Sequence, residues 1–178
     1  MLGVDPGTRI VGYGILDVPA PGRFEYVECG VLKVKQGDEL DARVFELASE
    51  LRAVIDEFRP TCMAIERAFH GLNSASALKL AEARGAFKLI AKERGLELRE
   101  YAPAKVKRAV AGNGRATKAE IQARVGILCR LERRPSSDAA DALAIAICHV
   151  QSSRLPNSAQ AGGRARMGRS RRGGRGST

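Results

Sequence analysis

Residues 2–16 read Leu2-Gly3-Val4-Asp5-Pro6-Gly7-Thr8-Arg9-Ile10-Val11-Gly12-Tyr13-Gly14-Ile15-Leu16, and the fold turns on how they are read. Leu2 to Asp5 is a short apolar strand closing on an acid. Asp5-Pro6-Gly7-Thr8 then carries the residues that reverse a chain: Pro fixes φ, Gly reaches conformations other residues avoid, and Asp bonds the backbone beyond it. From Val11 to Val18 small or polar residues alternate with apolar ones, the period of a strand. A Pro/Gly turn at 19–22 leads to a third strand, Phe24 to Val34, with Gly30 inside it. Connections this short join antiparallel strands, so the front of the chain is a meander.

After residue 38 the period changes. Leu40, Val44, Leu47, Leu51, Ile55 and Phe58 recur every three or four residues, the pattern of an amphipathic helix, and Arg59-Pro60 ends it. Cys62 to Glu66 is a short apolar run closing on an acid, a buried strand. Ser74 to Arg94 is helical, with Gly95 as its C-terminal cap. Leu96 to Tyr101 is a fifth strand. Thr117-Lys118-Ala119-Glu120 is a capping box opening a helix through Leu128, and a last helix runs from Ser136 to Val150. The order βββ-α-β-α-β-α-α predicts an α/β fold: a mixed five-stranded sheet, antiparallel on one side and parallel on the other, with helices on both faces. Right-handed crossovers leave few topologies, among them the ribonuclease-H-like order 3-2-1-4-5.

Composition bounds the function. The chain has 178 residues and a formal net charge of +10, unevenly spread. Residues 151–178 hold seven of the 30 basic residues and none of the 20 acidic ones, leaving 23 against 20 in residues 1–150. The expected division is a folded domain over 1–150 and a disordered Arg/Gly/Ser-rich tail over 151–178, too poor in apolar residues to offset its ordering entropy. Such a tail either solubilises the protein or tethers nucleic acid loosely. Cys29, Cys62, Cys129 and Cys148 form no Cys-x-x-Cys pair, and His70 and His149 are the only histidines. This argues against a zinc site and for free thiols in a cytoplasmic protein. No signal peptide and no membrane-spanning stretch is apparent.

Four acids stand apart from the solvated helix faces. Asp5 ends the first strand, and Glu66 ends the fourth, expected beside it and parallel. Ligand sites in open α/β sheets lie at these carboxyl ends. Asp138 and Asp141 are three apart at the start of the last helix and share one face. Each has an ordinary reading: Asp5 shapes its turn, and Asp138 caps the helix with Asp141 in its first turn. Glu66 is harder to explain so, because a lone carboxylate in a buried strand is expensive. Together they can converge on one pocket. Two carboxylates about 5 Å apart repel by ~3 kcal/mol at an effective dielectric near 20, so such a group needs cations. An oxygen-only site without His or Cys suits Mg²⁺ or Mn²⁺, which can activate water for phosphodiester hydrolysis. Gly12 and Gly14 fall on one face of the second strand. They admit either a ligand or a closely packed helix.

The helix over 74–94 has two apolar stripes at about 100° per residue. Leu80, Ala83, Phe87, Ile90 and Ala91 should face the sheet. Leu78, Ala81, Gly85 and Leu89 lie opposite, where small residues flanked by leucines let a second helix approach. The expected partner is the same stripe of a second copy across a two-fold axis; the alternative is another helix of the same chain.

These residues carry a family resemblance. Residues Leu2 to Arg9 followed by Gly12-Tyr13-Gly14 resemble the opening motif of the RuvC family of Holliday-junction resolvases. Ala64-Ile65-Glu66, Phe69, Asn73 to Leu80 and Ala83-Arg84-Gly85 resemble its second motif. Ala102 to Lys107 resembles its basic region, with Lys105 and Lys107, and Asp138 to Ala146 its final motif. The resemblance runs in order from residue 2 to about 150. It implies a homodimeric endonuclease that cuts two symmetric strands of a four-way DNA junction, leaving nicks a ligase can seal. It further implies metal binding by Asp5, Glu66, Asp138 and Asp141, two ions per site. Lys107 and Lys118 match positions of phosphate contact, and Phe69 matches an aromatic residue inserted toward the junction bases. RuvA and RuvB would be partners. The competing readings are a YqgF-like RNA-processing nuclease on the same fold, a sugar-kinase or actin-like ATPase, and a non-catalytic junction-binding module. An ATPase of that kind needs a second domain and a second Gly-rich loop, and a binding module would not need four acids so placed.

Overall fold

The computed structural model describes residues 1–34, 39–67 and 74–153. In chain order the elements are β1 (Leu2–Asp5), β2 (Ile10–Ala20), β3 (Arg23–Lys33), α1 (Leu40–Phe58), β4 (Cys62–Glu66), α2 (Ser74–Glu93), β5 (Glu97–Tyr101), α3 (Pro103–Ala111), α4 (Lys118–Leu128) and α5 (Ser137–Ser152). The strands form one sheet in the order β3-β2-β1-β4-β5. β1 pairs antiparallel with β2 and parallel with β4, and β4 pairs parallel with β5. β1 is therefore central although only four residues long. The Met1 ammonium donates to the Leu16 carbonyl and the Leu16 amide to the Met1 carbonyl, each at 3.0 Å, extending the pairing with β2 by two bonds.

The sequence reading missed α3. Its signals are Pro103 in the first turn, Val106 and Val110 four apart, and Gly112 in the left-handed conformation that ends it (φ 81°). Nine residues hold too few apolar positions for periodicity alone to mark a helix. At the other end, α5 runs to Ser152, so the fold reaches past the expected boundary at 150. The rest of the expected tail lies outside the described residues.

Strand alternation divides the core into two layers. Leu2, Val4, Met63 and Ile65 face α1 and α2, where Leu47, Leu51, Phe87 and Ile90 are buried. Leu16, Ala64 and Tyr101 face α3, α4 and α5. The second layer is closed by α5, whose residues Ala142 to Cys148 are wholly buried. This helix comes so close because the sheet beneath it lacks side chains. A Cβ on Gly3 would lie 2.1 Å from the Ala142 carbonyl oxygen, and one on Gly12 would lie 2.0 Å from that of Asp138. On Gly14 it would strike the Leu143 side chain at 2.7 Å. Of the two roles open to Gly12 and Gly14, helix packing is therefore the one observed.

On the opposite face α2 buries Ala83, Phe87, Ile90 and Ala91, with Leu80 half-buried, as its broad stripe predicts. The narrow stripe is uncovered: Leu78 and Leu89 are 66% and 58% exposed, and a Cβ at Gly85 would meet nothing within 4 Å. No other helix among the described residues covers it. All four cysteines are free, and three of them are buried. No helix among the described residues is long and apolar enough to cross a membrane.

Candidate active site

β1 and β4 run parallel and adjacent, so their last residues leave the sheet at the same end. Val4 and Ile65 point into the α1/α2 layer. Side chains alternate along a strand, so the next residues, Asp5 and Glu66, point to the other face. There they line a cleft of about 210 Å³ with Asp141, Lys107, Lys118 and the apolar side chains of Pro103, Val106 and Ile121. Two strand ends and the starts of three helices meet here.

Each helix brings its residue by a local device. α5 begins at Ser136, whose hydroxyl accepts from the Ala139 amide at 3.4 Å. The cap is thus Ser136 and not Asp138, which removes the capping role open to that acid in the sequence. Asp141 lies one turn further in, half-buried and facing the cleft. Asp138 sits where α5 touches Gly12, the residue paired with Asp5. It does not line the cleft but acts on Asp5 electrostatically. α4 opens on the predicted capping box: the Thr117 hydroxyl accepts from the Glu120 amide at 3.3 Å, and the Glu120 carboxylate accepts from the Thr117 amide at 2.7 Å. Lys118, the first residue of that helix, extends an exposed side chain to within 3.6 Å of Asp141 Oδ2. Lys107 reaches the cleft from α3. Lys105 occupies a different side of α3, with its ammonium 4.9 Å from the centre of the Tyr101 ring. Phe69 lies outside the described residues.

The cleft holds more negative charge than it neutralises. Burial, followed by repulsion from Asp141, Glu66 and Asp138, pushes the Asp5 carboxyl up to about 7, with Lys118 opposing. Burial and Asp141 raise Glu66, against Lys118, Lys107 and Arg84. Burial raises Asp141, chiefly opposed by Lys118. A carboxylate raised this way favours any arrangement that brings a cation. Among the described residues the donors are oxygen alone, and no histidine or cysteine lines the cleft. That set fits a hard divalent ion of the Mg²⁺ type and does not fit structural zinc. Among the described residues the acids surround the cleft without three of them closing on one point.

Of the residues singled out in the sequence, Asp5, Glu66, Asp141, Lys107 and Lys118 line this cleft, and Asp138 and Lys105 do not. Sequence reasoning missed the apolar wall, because Pro103 and Val106 belong to the helix it overlooked. It also gave Arg84 no role beyond motif membership, although this residue bonds the backbone of Glu66.

Known proteins resemble this chain over most of its length. The family described as crossover junction endodeoxyribonuclease RuvC matches residues 1–149. A protein of that name from Marinobacter nauticus is 43% identical over 173 residues, spanning 96% of this chain and 97% of its own. Another, from Saccharophagus degradans, is 43% identical over 150 residues, 84% of this chain and 86% of its own. Among solved structures, Thermus thermophilus RuvC in complex with a Holliday junction substrate superposes with a TM-score of 0.79 at 32% identity, covering 86% of this chain and 93% of that one.

Proposed function

Because the chain belongs to the RuvC family of crossover junction endodeoxyribonucleases, we propose that it resolves four-way DNA junctions by metal-assisted hydrolysis of two symmetric phosphodiesters. The observation that carries this reading is the meeting of Asp5, Glu66 and Asp141 with Lys107 and Lys118 around one cleft at the carboxyl ends of β1 and β4. The family is a nuclease family that depends on divalent metal, and its match over most of the chain sets aside the RNA-processing, ATPase and non-catalytic readings.

Asp5, Glu66 and Asp141 would hold the metal from the cleft, and Asp138, beside Asp5 at the start of α5, would complete the set, as two ions of Mg²⁺ or Mn²⁺. When bound, such ions stabilise charge on the reacting phosphate and lower the pKa of water at the site. The chain's own residues do the rest. Asp5 and Glu66 are fixed by strand pairing and Asp141 by a buried helix, so the carboxylates present a preformed arrangement. Lys107 and Lys118 bring positive charge to a cleft otherwise repulsive to a phosphate. Lys118, exposed and held to Asp141 only at 3.6 Å, is free to turn to the substrate. Pro103, Val106 and Ile121 form an apolar wall that limits water and strengthens these interactions.

Two cuts at symmetric positions call for two such clefts. The uncovered stripe of Leu78, Ala81, Gly85 and Leu89 supports a homodimer through α2. Phe69, next in the chain to the strand carrying Glu66, would stack on junction bases. Lys105 and the arginines of residues 151–178 would add phosphate contacts away from the scissile bond. RuvA and RuvB are the expected partners in branch migration, and DNA as substrate accords with a cytoplasmic site of action.

The test uses full-length protein and a synthetic four-way junction, with linear duplex and single-stranded RNA as controls. Paired nicks, resealed by ligase and dependent on Mg²⁺ or Mn²⁺, are expected for the junction alone. Equal cutting of RNA, or junction binding without cutting, would refute the assignment.

A further inference from the structure

Arg84 is one of two buried charged residues among the described residues, 8% exposed, in the middle of α2 on the face of the sheet away from the cleft. Its Nε donates to the backbone carbonyl of Glu66 at 3.0 Å. Its Nη2 donates to Glu100 Oε2 at 2.9 Å, and the other Glu100 oxygen accepts from Lys88 Nζ at 2.6 Å. The carbonyl it takes is at a special place. The β1–β4 ladder ends at Val4 and Ile65, one residue before Glu66. On the other edge β5 holds the chain through the Arg67 amide, which donates to the Tyr101 carbonyl at 2.7 Å. Glu66 thus lies where the sheet has stopped gripping one side of the strand, and its carboxylate must still be aimed into the cleft.

We propose that Arg84 is a positioning residue for Glu66, fixing the end of β4 from behind so that the carboxylate on the opposite face keeps the aim needed to hold metal. The guanidinium suits the task because its planar fork binds two acceptors in a fixed relation, here a strand carbonyl and Glu100 on the neighbouring strand. Lys88 occupies the second Glu100 oxygen, so Glu100 cannot swing away without losing two cations. The assignment rests on the metal-dependent nuclease reading above.

The experiment compares wild type with Arg84→Met, Arg84→Lys and Glu100→Gln, all full length. Mn²⁺ binding is followed by calorimetry without DNA, and junction cleavage is followed against Mn²⁺ concentration. Melting without metal and junction binding in chelator are measured alongside. Partners that orient a metal ligand typically contribute 10–100-fold in metal affinity, so Arg84→Met should raise the half-saturating Mn²⁺ about tenfold or more in both titrations. Junction affinity in chelator should not change. Arg84→Lys keeps the charge and one donor and should recover part of the loss. Glu100→Gln, which loosens the anchor only, should shift the titrations less and in the same direction. If Arg84→Met melts lower yet shows unchanged Mn²⁺ curves, Arg84 is merely structural and the inference is wrong. If that variant does not fold, unchanged Mn²⁺ curves for Glu100→Gln overturn it equally. A wild type without metal-dependent cleavage would instead overturn the nuclease reading.

Discussion

Gly12→Ala adds one methyl group just outside the lining of the cleft, on the residue paired with Asp5, and its effect can be worked from the packing of α5. The new Cβ would lie 2.0 Å from the Asp138 carbonyl oxygen, where ordinary contact begins near 3.4 Å, so about 1.4 Å of separation must be found. Both sides are backbone, and no rotamer can relieve the clash. β2 is held by β1 and β3, and α5 is buried along Ala142 to Cys148. The start of α5 is the part able to give, and it carries Asp138 and Asp141. Overpacking of this kind costs roughly 1–3 kcal/mol, a drop in Tm of a few to about ten degrees for a domain of this size. The larger effect should be on chemistry, since a misplacement of about 1 Å can cost on the order of 100-fold in rate. Junction cleavage under single-turnover conditions at saturating Mn²⁺, with melting curves on the same samples, separates the two. Gly126→Ala is the control: its Cβ meets nothing within 4 Å, so cleavage should hold. A Gly12→Ala protein that folds and cuts at the wild-type rate would show that the approach of α5 does not set the site.

Asp5→Asn, Glu66→Gln and Asp141→Asn should each abolish cleavage while junction binding in chelator stays intact or tightens, because each removes negative charge facing phosphate; near-normal cutting by any of them excludes that residue. Gly85→Arg places a charged side chain in open space on the uncovered stripe of α2, so it should give a folded monomer with uncoordinated nicking. Sedimentation showing that variant still dimeric would put the interface elsewhere. The Glu100 carboxyl is held below its usual range, first by the Lys88 hydrogen bond and then by Arg84. A depressed carboxyl stabilises the fold above its unfolded pKa near 4.5 and loses that contribution as pH falls through the lower folded value. Glu100→Gln should therefore be less stable than wild type at pH 7, with the gap closing below pH about 4.5; a gap independent of pH would refute the pairing.

The strand order and four of the five helices among the described residues are legible because their signals are local: alternation in β2, the 3–4 spacing of α1, the capping box of α4. Asp5 and Glu66 could be placed together from topology alone, since parallel neighbours must end on one side. What could not be read was the role of Gly12 and Gly14. A missing side chain looks the same in sequence whether a ligand or a helix fills the space, and only the position of the Asp138 carbonyl distinguishes them. The sequence offered Asp138 as the cap of α5; the observed cap is Ser136, and the difference turns on where the helix begins, which periodicity fixes only to within a few residues. Arg84 was hidden for a different reason. Its partner is a backbone carbonyl, which every residue possesses, so no pattern of side-chain types announces it.

Lys118 stands at the first position of α4, where the aligned peptide dipoles already present positive charge. A cation there works against its own helix, just as the acids across the cleft work against one another. Charge in this cleft is thus opposed in both signs: the acids repel one another, and Lys118, 3.6 Å from Asp141, opposes its own helix. A cation would relieve the acids and a phosphate the lysine. Each guest also makes the place more welcoming to its counterpart, so occupancy should rise as a pair, and the scaffold should be firmest when the enzyme is poised to cut.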